Sequence, residues 1–256
     1  MYLQNNLAPE TLRLLAIDTS GPAASCAVTV GGRVASLIAM NQGLTHSEII
    51  MPAVERALDA AKLRCRDIDC FVAVAGPGSF TGVRIGVCAV KGLAHAVGKP
   101  CARVHALEAL AMNFPGFDGL ICPILDARRG QVYCAAYRMS GGLPVEVLPP
   151  DALPLADFVA RLPEGPRLMF AGDGIDAHRQ RLTELLGARA EFAPMHLRDI
   201  RADAACALAA ARPEQWMTAG ELRPIYLRAP QAERERRAGR DHTRSLRRQR
   251  EEEAAK

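Results

Sequence analysis

Residues Leu14 to Met40 read LLAIDTSGPAASCAVTVGGRVASLIAM, and residues Leu120 to Leu148 read LICPILDARRGQVYCAAYRMSGGLPVEVL. The first stretch opens with an apolar strand, Leu14 to Asp18, which ends in Asp-Thr-Ser and meets a Gly21-Pro22 turn. Ser25 to Val30 then alternates, with Cys26, Val28 and Val30 on one face. Gly31-Gly32 signals a tight hairpin, and Val34 to Met40 is a third strand. The second stretch repeats this order: strand Leu120 to Asp126, turn Arg128-Arg129-Gly130, strand Gln131 to Met139, turn Gly141-Gly142 and strand Pro144 to Leu148. The aspartate precedes the Gly-Gly pair by 13 residues in the first copy and by 15 in the second. Helix, strand and helix signals follow each unit. They lie at Ser47 to Lys62, Cys70 to Ala75 and Thr81 to Val97, and again at Leu155 to Leu162, Arg167 to Ala171 and Ile175 to Leu186. Hairpin-joined strands extended by helix crossovers make a mixed sheet covered by helices, so the chain is expected to be an α/β protein of two βββαβα units.

Composition narrows the function classes. With 256 residues, 49% hydrophobic and 23% charged, the chain reads as an ordinary globular protein with room for one large or two small cores. No apolar run is expected to approach the roughly 20 residues that span a bilayer. The segment before Leu12 carries Gln4, Asn5, Asn6 and Glu10, unlike a signal peptide, so a cytoplasmic protein without membrane partners is expected. The eight cysteines include no Cys-x-x-Cys pair, and several sit in apolar runs, which favours reduced structural thiols over zinc or disulfides. The formal charge is +4, but residues from Gln231 onward hold nine basic and six acidic groups, a net +3. The body therefore has little electrostatic reason to bind nucleic acid alone.

Ala75 to Gly86, AGPGSFTGVRIG, follows the apolar strand Phe71 to Ala75 and leads into a helix. Gly76 and Gly78 allow backbone conformations closed to other residues, Pro77 stiffens the bend, and Ser79 suits a helix N-cap. Such a loop either cradles an anion on helix N-terminal amides or is a tight strand-to-helix turn. The Gly-Lys-Ser/Thr ending of a phosphate-binding P-loop is absent from the sequence.

AGPGSFTGVRIG, preceded by LLAIDTS and followed by LDARRGQVY and by PIYLR at Pro224 to Arg228, resembles the TsaB (YeaZ) family over residues 12 to 230. The resemblance implies the duplicated actin-like fold (the ASKHA group, ribonuclease H-like). It implies a first subdomain at 12–104, a second at 105–200, and a segment 201–230 that packs back on the first. It further implies a non-catalytic subunit that pairs with the related catalytic subunit TsaD and with the ATPase TsaE. That assembly transfers a threonylcarbamoyl group to the adenosine beside the anticodon of tRNA. No cofactor is expected on the chain alone, with ATP or ADP in the assembled complex, tRNA contact only through that complex, and a homodimer when isolated.

The rival is that the chain is itself a TsaD-like enzyme or a nucleotide-dependent hydrolase or kinase. TsaD-like proteins carry His-x-x-x-His just after the strand matching Ala102-Arg103-Val104, a spacing that sets two imidazoles on one helix face for a metal. Alignment puts Ala106 and Leu110 there, and no His-x-x-x-His occurs anywhere in the sequence. His105 stands alone and is expected as a cap or core residue. Asp18 and Asp126 end equivalent strands where actin-like enzymes hold magnesium and nucleotide, or else cap turns through Asx hydrogen bonds. A vestigial nucleotide cleft would comprise Asp18, Thr19, Ser20, Gly76, Gly78, Ser79 and Asp126. Neither Gly-x-Ser-x-Gly nor His-Glu-x-x-His is present to suggest a hydrolase.

On the helix Thr81 to Val97, Arg84, Lys91 and His95 share one narrow stripe and the rest is almost all apolar. The preceding helix adds Ile49, Ile50, Ala53, Val54, Ala57 and Leu58. The two helices either cover each other and the sheet or face a partner. The family resemblance favours a partner surface at Ile50, Val54, Leu58, Gly82, Val83, Gly86, Val87 and Val90, with the glycines admitting a second helix closely. The tail Gln231 to Lys256 is poor in apolar residues and is expected to be an unstructured charged extension, with Arg clusters that suit phosphates.

Overall fold

A computed structural model describes residues 9–43 and 45–228. Its first half holds β1 (Arg13–Asp18), β2 (Ala24–Val30), β3 (Arg33–Met40), α1 (His46–Ala60), β4 (Cys70–Val74), α2 (Phe80–Val97) and β5 (Cys101–Val104). The second holds α3 (Ala106–Ala111), β6 (Leu120–Asp126), β7 (Gln131–Ser140), β8 (Leu143–Pro154), α4 (Leu155–Arg161), β9 (Leu168–Ala171), α5 (Gly174–Leu186) and β10 (Ala190–Phe192), and α6 (Ala202–Ala210) follows. The sheets have the orders β3-β2-β1-β4-β5 and β8-β7-β6-β9-β10, the same path taken twice. In each, the first strand pairs antiparallel with its hairpin neighbour and parallel with the strand after the first helix. This is the duplicated actin-like architecture.

Turn chemistry explains the hairpins. Gly31 and Gly32 have φ of 57° and 76°, and Gly141 and Gly142 have 58° and 79°, the doubly positive pair of a two-residue hairpin turn. β8 runs to Pro154, beyond the expected end at Leu148. Pro149, Pro150 and Pro154 read as breakers, but β8 is an edge strand and one of its sides needs no amide donors.

Alternation along β1 sorts the core. Leu14 and Ala16 face α3 and α6, while Leu15 and Ile17 face α1 and α2. The second sheet puts Cys122, Ile124 and Phe170 against α4 and α5, and turns Ile121, Leu125 and Ala171 toward α3 and α6. The inner helices α3 and α6, neither anticipated from the sequence, thus share one core with both sheets. α6 is seated by Ser25, whose hydroxyl accepts from Ala202 N at 3.0 Å and donates to Ile200 O at 3.2 Å. Six of the eight cysteines are buried, all eight are free, and burial pushes the Cys26 and Cys206 thiols up to about 12.

α2 departs from one expectation. Its 18 residues meet the length and composition of a membrane-crossing helix, with the polar residues gathered on one stripe. Here it lies on β4 and β1 with Val83, Val87 and Val90 buried.

Candidate functional site

The end of β1 is the junction on which the helix layer is built. Asp18 is 1% exposed, and its Oδ1 accepts from Ser20 N at 2.9 Å and from Ser20 Oγ at 2.6 Å. Burial pushes the Asp18 carboxyl up to about 7; the Ser20 hydrogen bonds pull it down, and the charge of Asp199 adds to the rise. Thr19 Oγ1 donates to Gly82 O at 2.7 Å, Ser79 N donates to Ser20 O at 2.8 Å, and His46 Nε2 lies 2.9 Å from Gly21 O. Residues 18–21 therefore hold the N-terminal ends of both α1 and α2.

The glycine-rich loop closes on this turn. Gly76 has φ +110°, Gly76–Pro77 is cis, and a Cβ at Gly78 would lie 2.2 Å from Ser20 O. A Cβ at Gly76 would lie 2.6 Å from Ile225 O, while Ile225 N donates to Ala75 O at 2.7 Å. Ser79 caps α2 by accepting from Gly82 N at 3.2 Å. The space that the glycines open is filled by backbone carbonyl oxygens, whose lone pairs repel an anion. The loop packs as a tight strand-to-helix turn.

Six residues of the expected nucleotide cleft, Asp18, Thr19, Ser20, Gly76, Gly78 and Ser79, meet around this one turn. Asp126 belongs to the second sheet, where its Oδ1 accepts from Arg128 N at 2.7 Å and its own N–H donates to Asp173 Oδ1 at 3.0 Å. Both strand-end aspartates thus close turns by bonding the residue two places on. Asp173 was missed, although Ala171-Gly172-Asp173-Gly174 echoes Ala75-Gly76-Pro77-Gly78 in the sequence. Gly172 repeats the φ of +110°, and a Cβ there would lie 2.2 Å from Ile124 O.

The proposed partner surface needs correction. Ile50, Val54, Leu58, Gly82, Val83, Gly86, Val87 and Val90 are all buried, within the layer between the helices and the first sheet. Gly82 and Gly86 face the turn after β1: Cβ atoms there would lie 2.1 Å from Thr19 O and 2.5 Å from Thr19 Oγ1, with His46 of α1 3.2 Å from the first. Hydrophobicity on nearly every side of α2 hid which face turns inward. The outward face is Ile85, Cys88, Ala89 and Gly92, half-buried or exposed, with Phe80 (37% exposed) at its head and Met51 (45%) on α1. The Arg84 guanidinium lies 3.7 Å over the Phe80 ring. Lys91, grouped with Arg84 and His95 in the sequence, donates to Leu222 O at 3.2 Å. It pins the segment that pairs at Met217 with Cys101 along the free edge of β5.

His105 precedes α3, and both its ring nitrogens are buried without a hydrogen-bond partner. Burial and the nearby Arg103 push its pKa down to about 4, so it sits in the fold as a neutral ring. Among the described residues no group of three or more His, Cys, Asp or Glu side chains is placed to hold a metal ion.

The TsaB of Bacillus subtilis is 39% identical over 179 residues, 70% of this chain and 78% of that protein. The chain belongs to the TsaB (YeaZ) family. The TsaB of Escherichia coli is 35% identical over 129 residues, 50% of this chain and 55% of that one. The solved YeaZ from Pseudomonas aeruginosa superposes with a TM-score of 0.74 at 28% identity, over 85% of this chain and all of that one. The family model for TsaD, tRNA N6-adenosine threonylcarbamoyltransferase, also matches, at residues 40–235. In this chain GPGSFTGVRIG forms the turn after β4 and the start of α2, which pack on the end of β1.

Proposed function

We propose that this chain is a non-catalytic subunit of tRNA threonylcarbamoyladenosine biosynthesis in the cytoplasm. It works by docking a TsaD-type catalytic subunit, and with it a TsaE-type ATPase, on the outward face of α1 and α2. The observation that carries this reading is that outward face. Small or apolar residues at Ile85, Cys88, Ala89 and Gly92 lie in the centre, with Phe80 and Met51 beside them and charged Arg84, Glu55 and Asp59 around. An apolar centre within a charged rim is the composition of a specific protein interface. The absence of catalysis is supported by Ala106 and Leu110, which stand where TsaD-like proteins carry their histidine pair. Both are wholly buried and apolar here. ATP or ADP then belongs to the assembled complex, tRNA is met through it, and the isolated chain uses the same face to form a homodimer.

Cys88→Arg places a charge on an exposed helix position. It should leave thermal stability unchanged and abolish pull-down of the TsaD-type protein from the same organism. Undiminished capture would refute docking on this face. The match to the transferase family model over residues 40–235 favours a second reading, in which the chain is itself a transferase. Threonylcarbamoylation of tRNA by the purified chain alone would establish that reading.

A further inference from the structure

We infer that the turn 18–21 is a proton-controlled tether for the N-terminal ends of α1 and α2, with the Asp18 carboxyl as its titrating group. The inference concerns the chain by itself and stands whether or not a catalytic subunit docks on these helices. Three connections leave this turn for the helix layer: Thr19 Oγ1 to Gly82 O, Ser20 O to Ser79 N, and Gly21 O to His46 Nε2. The geometry of all three depends on the conformation that Asp18 imposes by accepting both polar hydrogens of Ser20. There is no slack in the arrangement, because Gly82 and Gly86 already bring α2 against Thr19 as closely as a missing Cβ allows.

A protonated Asp18 fits this site. One oxygen is satisfied twice by Ser20, and a neutral carboxyl costs little to bury when so bonded. An ionised Asp18 does not fit. Ser20 gives it two hydrogen bonds on one oxygen and the Thr19 backbone adds a further one, but these do not offset its burial, and the charge acting on it, Asp199, has the same sign. Asp199 is itself pushed up by burial and by Asp176. The other titratable group at the turn is His46 on α1, which is engaged with Gly21 O. Loss of the Asp18 proton to solvent therefore favours an opened turn in which water reaches the carboxylate, and that opening loosens all three connections. The carboxyl pushed up to about 7 places this event near neutral pH.

Carbon-13 NMR of the wild-type chain tests this, with the Asp18 carboxyl assigned through its own backbone and followed from pH 4 to 9. Asp18 should titrate near neutrality, far from the exposed aspartates. Amide exchange at Ser79 and Gly82, corrected for intrinsic base catalysis, should rise about tenfold or more with the same midpoint, since each pKa unit separating two states changes their ratio tenfold. Ser20→Ala removes a donor to the carboxylate and should move the Asp18 midpoint upward. Asp18→Asn should make the exchange at Ser79 and Gly82 independent of pH. An ordinary carboxylate midpoint for Asp18, or exchange at Ser79 and Gly82 that ignores it, would overturn the inference.

Discussion

Three glycines in α2 separate the requirements of packing from those of the helix. Gly82 and Gly86 have Thr19 where a Cβ would stand, whereas Gly92 has open space. Gly82→Ala should therefore cost on the order of 2 kcal/mol, since the backbone carbonyl of Thr19 cannot move aside cheaply. Gly92→Ala should gain up to about 1 kcal/mol, the helix-propensity difference. Urea denaturation of both variants checks the pair, and equal effects would contradict the assignment of faces. Proton linkage gives a second test. The Asp18 carboxyl is raised in the fold, so its stabilising contribution is complete below the ordinary carboxylate range and lost as pH rises toward 7. His105 is depressed to about 4, so its contribution is complete above its ordinary 6.5 and lost as pH falls toward 4. Between 6.5 and 7.5 the Asp18 contribution is still being lost, and there the melting temperature should fall with rising pH more steeply in wild type than in Asp18→Asn. Of these residues, the sequence identified Asp18, Ser79 and the turn glycines. It missed Asp173, because nothing in the first copy marks that position as acidic.

The elements were legible where periodicity was strong. α1, α2, α4, α5 and the hairpin strands other than β8 lie within a residue or two of their expected bounds, since Gly-Gly turns and a Ser N-cap mark the ends. α3, with six residues, and β10, with three, are too short to carry a period, and α6, ADAACALAA, is apolar but for Asp203 and carries no clear stripe. The inward face of α2 was unreadable for the same reason, since valines and glycines surround it. Gly92→Arg sets a large cation on that helix where no atom opposes it. It should not lower stability, because arginine is a better helix former than glycine, while association with a TsaD-type protein falls below detection in ultracentrifugation. Lys91→Met, by contrast, removes one of two donors to Leu222 O, leaving Arg223 Nη1 at 2.9 Å. It should raise amide exchange at Ile225 and Met217 before it lowers the melting temperature.

At the scale of the whole molecule, duplication was visible in the sequence because each copy repeats its turn residues in order. What the copies share is geometry, and their chemistry differs: Asp18 is buried where Asp126 is exposed, and Pro77 stands where the second copy has Asp173. The tail at 231–256 lies outside the described residues. Its net +3 predicts that, if it meets tRNA, deletion weakens binding by the assembled complex at low salt and flattens the salt dependence. Filter binding from low to physiological salt reads both. The most direct test of the central claim is reconstituted tRNA threonylcarbamoylation with the TsaD-type and TsaE-type proteins of the same organism. The account predicts no product and no stoichiometric iron or zinc with this chain alone, full activity with all three proteins, and loss of activity with folded Gly92→Arg. Modification by the chain alone, or full activity with Gly92→Arg, would contradict it.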